Sequence, residues 1–154
     1  MRLLTRASFF HKAHPYVLPR YSFLARLDSD PESLKYVLSV MQYIGSLYAP
    51  DISSSELRDL ALSQLDSPNL PPNGFTVLAL LLTSIAIHSE DEFRQGRVTL
   101  DRAIYMALET RMNSRTFANM ERDPVLAESW RRTYWGLYVT DSMFAGIHRA
   151  PSFL

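Results

Sequence analysis

An all-α fold, an irregular bundle of about six helices, is predicted by three observations. Apolar residues recur at helical spacing in one stretch after another, no alternating run is long enough to argue for a strand, and clusters of Pro, Asn and Gly separate the stretches at lengths typical of helix connections. At 154 residues, with 47% hydrophobic positions, the chain can bury one ordinary core, so a single domain or part of one is expected over residues 1–154.

Each element follows from its own residues. Arg2 to Ala13 places Leu3, Ala7, Phe10 and then His14 at helical spacing, and Pro15 ends this short amphipathic helix. The stretch from His14 to Leu27, held by Pro15 and Pro19, reads as a packed connector presenting Tyr16, Leu18 and Phe23 to the core. Asp30 followed by Pro31 is a helix start, with a side chain that can accept from free amides and a preset first-turn angle. Leu34, Val37, Leu38, Met41, Ile44, Gly45 and Tyr48 then form an apolar stripe that Pro50 stops. Ser53 and Glu56 have capping-box spacing ahead of Leu57, Leu60, Ala61 and Leu65.

Ser67 to Gly74 is the clearest loop. In the next helix Val77, Leu78, Leu80, Leu81, Leu82, Ile85, Ala86 and Ile87 occupy nearly all sides, which predicts a central position. A breaker zone at His88 to Glu92 precedes a helix over about Phe93 to Met112, whose core face is Val98, Leu100, Ala103, Ile104, Ala107 and Leu108. Asn113 to Asp123 is polar. Asp123-Pro124 then starts the last helix, which runs to about Ile147.

Charge and cysteine usage narrow the function. Sixteen basic and sixteen acidic residues balance to a formal net charge of zero, so no overall field draws the chain to nucleic acid or anionic lipid. No cysteine is present, which excludes disulfides and thiolate metal sites. The longest apolar run, Phe75 to Ile87, is too short to span a bilayer. Before Asp28 the chain carries Arg2, Arg6, Lys12, Arg20 and Arg26 without an acid, a pattern shared by transit peptides, but Pro15 and Pro19 favour a basic first helix of the domain.

The last helix is the most informative segment. Glu128 precedes Arg131 by three and Arg132 by four positions, the orientation that forms intrahelical ion pairs. Trp130, Tyr134, Leu137 and Tyr138 lie along one side with Trp135 and Val139 on the flank, which predicts a helix wrapped by others, its aromatics serving as core. Asp141 is the anomaly, because a carboxylate among aromatics costs several kcal/mol unless paired. Arg131 and Arg132 are roughly 15 Å away by helical rise, so the partner must come from another element, with Arg149 in the following turn the nearest candidate.

No catalytic constellation is visible. His11 and His14 share a helical face but no nearby carboxylate completes a metal site, and His88 and His148 are scattered in sequence. Glu90, Asp91 and Glu92, beside Arg94 and Arg97, read as a solvated helix start. There is no nucleophile motif and no phosphate-binding glycine loop. Nothing recurs near the period of helical-hairpin solenoids.

The stretch Glu128 to Asp141, with Glu128, Trp130, Arg131, Arg132, Trp135, Leu137, Tyr138 and Asp141, and with Arg149 and Pro151 downstream, resembles the E-x-x-RR-x-WW-x-LY-x-x-D motif and its R-x-P or GRP sequel in the middle homology region of fungal zinc-cluster transcription factors. Two further stretches are similar to that family. His11, His14, Pro15, Pro19 and Phe23 stand where the region begins, and Leu100 to Asn113 resembles its A-I-x-x-A-L-x-L-G-M-N helix. Thr110 and Arg111 replace the family's Leu-Gly, so either Arg111 takes a less comfortable backbone angle or the helix runs on. Ala150 likewise replaces the glycine of GRP.

The resemblance implies a helical, non-enzymatic regulatory domain in a nuclear protein, with other protein chains or the transcription machinery as partners and a small effector as a further candidate. It implies DNA binding only through a six-cysteine zinc cluster, which these residues do not contain, and no cofactor in the chain itself. The motif is expected to be structural, and the region to be truncated, with an uncovered apolar face. A helical interaction adapter or solenoid-like scaffold is the alternative.

Overall fold

The computed structural model describes residues 16–154, so the first helix expected at Arg2 to Ala13, with His11, His14 and Pro15, lies outside the described residues. The described residues form seven helices and no strand. They fall into two compact units, one ending at Pro71 and the other spanning Pro72–Leu154, divided within the loop that Pro68, Pro71 and Pro72 mark.

In the first unit, α1 (Arg20–Ser29) packs against α2 (Pro31–Leu47), which packs against α3 (Ser54–Leu65). Helix α1 corrects the expectation of a connector. Pro19 precedes its first residue, a place where the missing amide costs nothing, and Phe23 is its buried anchor. Asp30 caps α2 as predicted, its Oδ1 accepting from Ser33 N at 3.4 Å with Pro31 at the first position. The buried face of α2 includes Leu34, Val37, Val40, Tyr43 and Ile44, whereas Tyr48, expected in that stripe, is exposed. Ser53 precedes α3 without capping it through its side chain, and its hydroxyl instead meets that of Ser55 at 2.9 Å. Ala61 and Leu65, one turn apart, form the buried line of α3, and Leu60, a full 100° step to the side, is exposed.

In the second unit, α4 (Gly74–Ser89) packs against α5 (Phe93–Glu109) and α7 (Pro124–His148), α5 also meets α7, and the short α6 (Arg115–Asn119) lies against α7. Asn73 caps α4, its Oδ1 accepting from Thr76 N at 3.0 Å. Every residue of α4 from Gly74 to Ser84 is buried, in line with the all-round apolar pattern. Its buried hydroxyls are satisfied locally, Thr83 donating to Ala79 O and Ser84 to Leu81 O. Gly96 of α5 lies against this helix so closely that an added Cβ would sit 3.1 Å from both His88 Cβ and Ser84 O. Val98 and Leu108, expected in the core face of α5, are exposed.

Helices α4, α5 and α7 end in the same way. A non-glycine residue turns left-handed, at φ 65° in Asp91, 58° in Arg111 and 51° in Arg149. The following amide then reaches back five residues, from Glu92 to Ile87 O at 3.3 Å, Met112 to Ala107 O at 2.8 Å and Ala150 to Ala145 O at 3.0 Å. This is the Schellman closure, which usually recruits glycine. Arg111 thus takes the left-handed angle, at the position where the resembling motif carries glycine. At the end of α7 the turn falls on Arg149, one residue before the replaced glycine position at Ala150.

Candidate functional site: the Asp141 clamp

Asp123 and Pro124 start α7 as predicted, Asp123 Oδ1 accepting from Val125 N at 2.9 Å. The helix then buries Leu126, Ala127, Trp130, Thr133, Leu137, Thr140, Asp141 and Phe144 on one face. Trp130 is 5% exposed, meets Phe75 edge-on at 4.9 Å and donates from Nε1 to Glu121 Oε2 at 3.2 Å. Its ring also occupies the space where Gly74 would carry a Cβ, at 2.6 Å from Cε3, so the start of α4 can approach α7 this closely only as glycine.

The opposite face overturns the expectation of a fully wrapped rod. Trp135 is 63% exposed and Tyr138 43%, and their rings stack on each other at 5.4 Å and 22°. With aromatics on nearly every side, the sequence held no signal for which face turns inward. Glu128, itself exposed, sits between Arg132 Nε at 2.9 Å and Arg131 Nη1 at 3.6 Å. The Arg132 hydrogen bond, helped by the charges of both arginines, holds its carboxyl below the usual value. Arg131 also donates to Asn119 Oδ1 at 3.1 Å, tying α6 to α7.

Asp141 is completely buried. Its Oδ1 meets Arg97 Nη1 at 2.6 Å, and its Oδ2 accepts from the backbone amides of Phe153 at 2.6 Å and Leu154 at 2.9 Å. The partner is therefore Arg97 of α5 and not Arg149, which is exposed in the αL turn. Arg149 sits where the chain must reverse, so it shapes the path of the strap, the segment 150–154 whose last two amides bond Asp141, while an arginine one helix away supplies the charge. Arg97 also pairs with Asp101 one turn along α5, Nη2 to Oδ1 at 2.7 Å. Burial alone would lower the Arg97 pKa, but the hydrogen bonds and charges of Asp101 and Asp141 outweigh it and raise it. The Phe153 ring covers the guanidinium at 5.1 Å and meets Tyr105 edge-on at 6.3 Å.

The clamp joins α5, α7 and the segment after Pro151 at one buried carboxylate, with every strong interaction on Asp141 charge-assisted. It offers no nucleophile and no general base open to a substrate, so its chemistry is positional. Arg97, Phe153 and Glu121 were missed from sequence. Arg97 lies 44 residues from Asp141, and its local neighbours suggested only a solvated helix start. No described residues form a cluster of three or more His, Cys, Asp or Glu able to hold a metal ion, and without cysteine the chain does not fit a thiolate zinc cluster.

The described residues thus form packed helices fastened at one buried ion pair, an all-helical architecture. The sequence profile of the fungal specific transcription factor domain matches residues 7–154. The chain is 32% identical over 148 residues to the C6 finger domain transcription factor iacK of Pestalotiopsis fici, an alignment covering 94% of this chain and 22% of that protein. No solved structure matches. The chain belongs to the fungal specific transcription factor domain family.

Proposed function

We propose that these residues act as the regulatory helical domain of a zinc-cluster transcription factor, transmitting or restraining activation through the packing of α4, α5 and α7. The family match supports this reading, and the Asp141 clamp is the observation in the fold that carries it. A carboxylate that holds a neighbouring helix and the chain beyond α7 makes the position of that chain depend on the integrity of the bundle. The family role is non-enzymatic and regulatory. DNA contact is assigned to a cysteine-bearing zinc module, since these residues contain no cysteine. Nuclear localisation, partners in the transcription machinery and a small effector complete the proposal. No described helix is long and apolar enough to cross a membrane.

A reporter assay tests it. The chain is fused between a heterologous DNA-binding module and an activation domain, and output is compared with the same fusion carrying Arg97→Met. Regulation by the helical domain changes output on insertion, and the variant relieves or abolishes that change at equal protein level. An insertion with no effect on output would overturn the proposal.

A further inference from the structure

His88 and His148, sixty residues apart, meet at the C-terminal ends of α4 and α7 with their Nε2 atoms 3.0 Å apart. Their ring centroids are 5.2 Å apart, and the two distances together require the rings to point at one another nearly end to end. That is the geometry of an N–H···N hydrogen bond, in which one Nε2 carries the proton and the other accepts it. A metal ion bound by both would need the rings turned toward a common third point, so the arrangement favours a shared proton. His88 is further fixed by stacking on Phe144 at 4.0 Å and 18°, and Phe93 closes the cluster, 4.8 Å from His88 and 5.0 Å from His148.

We propose that this pair is a proton-operated latch: neutral, it ties the ends of α4 and α7 together through one hydrogen bond, and protonated on both rings it drives them apart. The groups around it define the balance. From α4 comes His88 itself, from α7 Phe144 and His148 with the exposed Arg149 beyond, and from α5 Phe93 and the exposed Arg94. The turn between α4 and α5 contributes Glu90, Asp91 and Glu92, of which Asp91 favours a charged His88. Burial and the charge of His148 work the other way, and together they lower the His88 pKa. A second proton meets a like charge at 3.0 Å with no acceptor left between the rings.

The sign follows directly. A histidine that holds its proton less tightly folded than unfolded contributes stability that is full above its unfolded value, about 6.5, and lost as pH falls below it. Its mechanical consequence reaches beyond α7. His148 is the last residue of that helix, Arg149 makes the turn, and the Phe153 and Leu154 amides hang on Asp141. Loosening the last turn of α7 therefore frees the strap.

Amide exchange by NMR tests the latch on the full chain, with protection factors of Phe153 and Leu154 corrected for intrinsic exchange and compared at about pH 7.5 and about pH 5. The expected result is a loss of protection of Phe153 and Leu154 on acidification, because the pair must take up a second charge with its two Nε2 atoms 3.0 Å apart. His148→Gln, which keeps a hydrogen-bonding side chain but cannot take the second charge, is expected to hold its protection constant. It also raises the midpoint at which the His88 ring resonances titrate. Unchanged protection in the parent chain, or an equal loss in His148→Gln, would overturn the proposal.

Discussion

The indole of Trp130 rests on the bare α-carbon of Gly74, so close that a methyl group there would lie 2.6 Å from the ring. Neither partner can give way. The ring is pinned by its hydrogen bond to Glu121 and its edge contact with Phe75, and the glycine lies in the first turn of a buried helix. Gly74→Ala is expected to destabilise the protein by about 1–3 kcal/mol through overpacking, despite the better helix propensity of alanine. Urea denaturation checks this, and a stabilised variant would show that the ring moves freely.

The two tryptophans of α7 are expected to differ sharply although they belong to one sequence motif. Trp130→Ala removes a buried ring and a hydrogen bond, and a loss of about 3–5 kcal/mol follows. Trp135→Ala removes a ring that is 63% exposed and stacks only on Tyr138, so stability stays within about 0.5 kcal/mol. Thermal unfolding of the pair decides it, each kcal/mol corresponding to roughly 2–4 °C at this chain length. Equal melting shifts would contradict the arrangement of α7.

Removing Arg97 leaves Asp141 buried with two amides but no counter-charge. Arg97→Met is expected to cost about 3–5 kcal/mol, the usual penalty for an uncompensated buried charge. Adding Asp141→Asn to that variant recovers part of the loss, because the amide oxygen still accepts from the Phe153 and Leu154 backbone. A double-mutant cycle in chemical denaturation measures the coupling, and additive effects would mean that the two groups act independently.

Arg111 holds a left-handed backbone angle that costs a side-chain-bearing residue about 1–2 kcal/mol. It is exposed, so little packing is lost on truncation. Arg111→Gly is expected to raise stability by up to about 1 kcal/mol after the extra chain entropy of glycine is subtracted, visible as a higher melting temperature. Arg111→Val, with a branched Cβ at the same angle, is expected to lower it.

Helix starts were the part of the fold most open to sequence reading, because capping chemistry is local. Asp30-Pro31 and Asp123-Pro124 begin helices where their side chains and rings dictate, and the Arg111 angle could be anticipated from one missing glycine. Helix α1 was hidden by Pro15 and Pro19, which read as breakers although Pro19 only borders the first turn. The five residues of α6 are too few to show a period. The clamp was half legible: a carboxylate inside an aromatic helix announced a need for a partner, but nothing local to Asp141 pointed to an arginine 44 positions earlier. The His88–His148 contact was equally invisible, since only the packing of α4 on α7 brings those rings together.

Asp141 grips the strap by its peptide nitrogens. Such a hold dictates a route and leaves the lettering free: at Leu154 any residue but proline presents the same handle. Substitutions in this tail should therefore accumulate with little harm, while insertion or deletion of a single residue between Arg149 and Phe153 would slide the wrong amides over the carboxylate and undo the fastening.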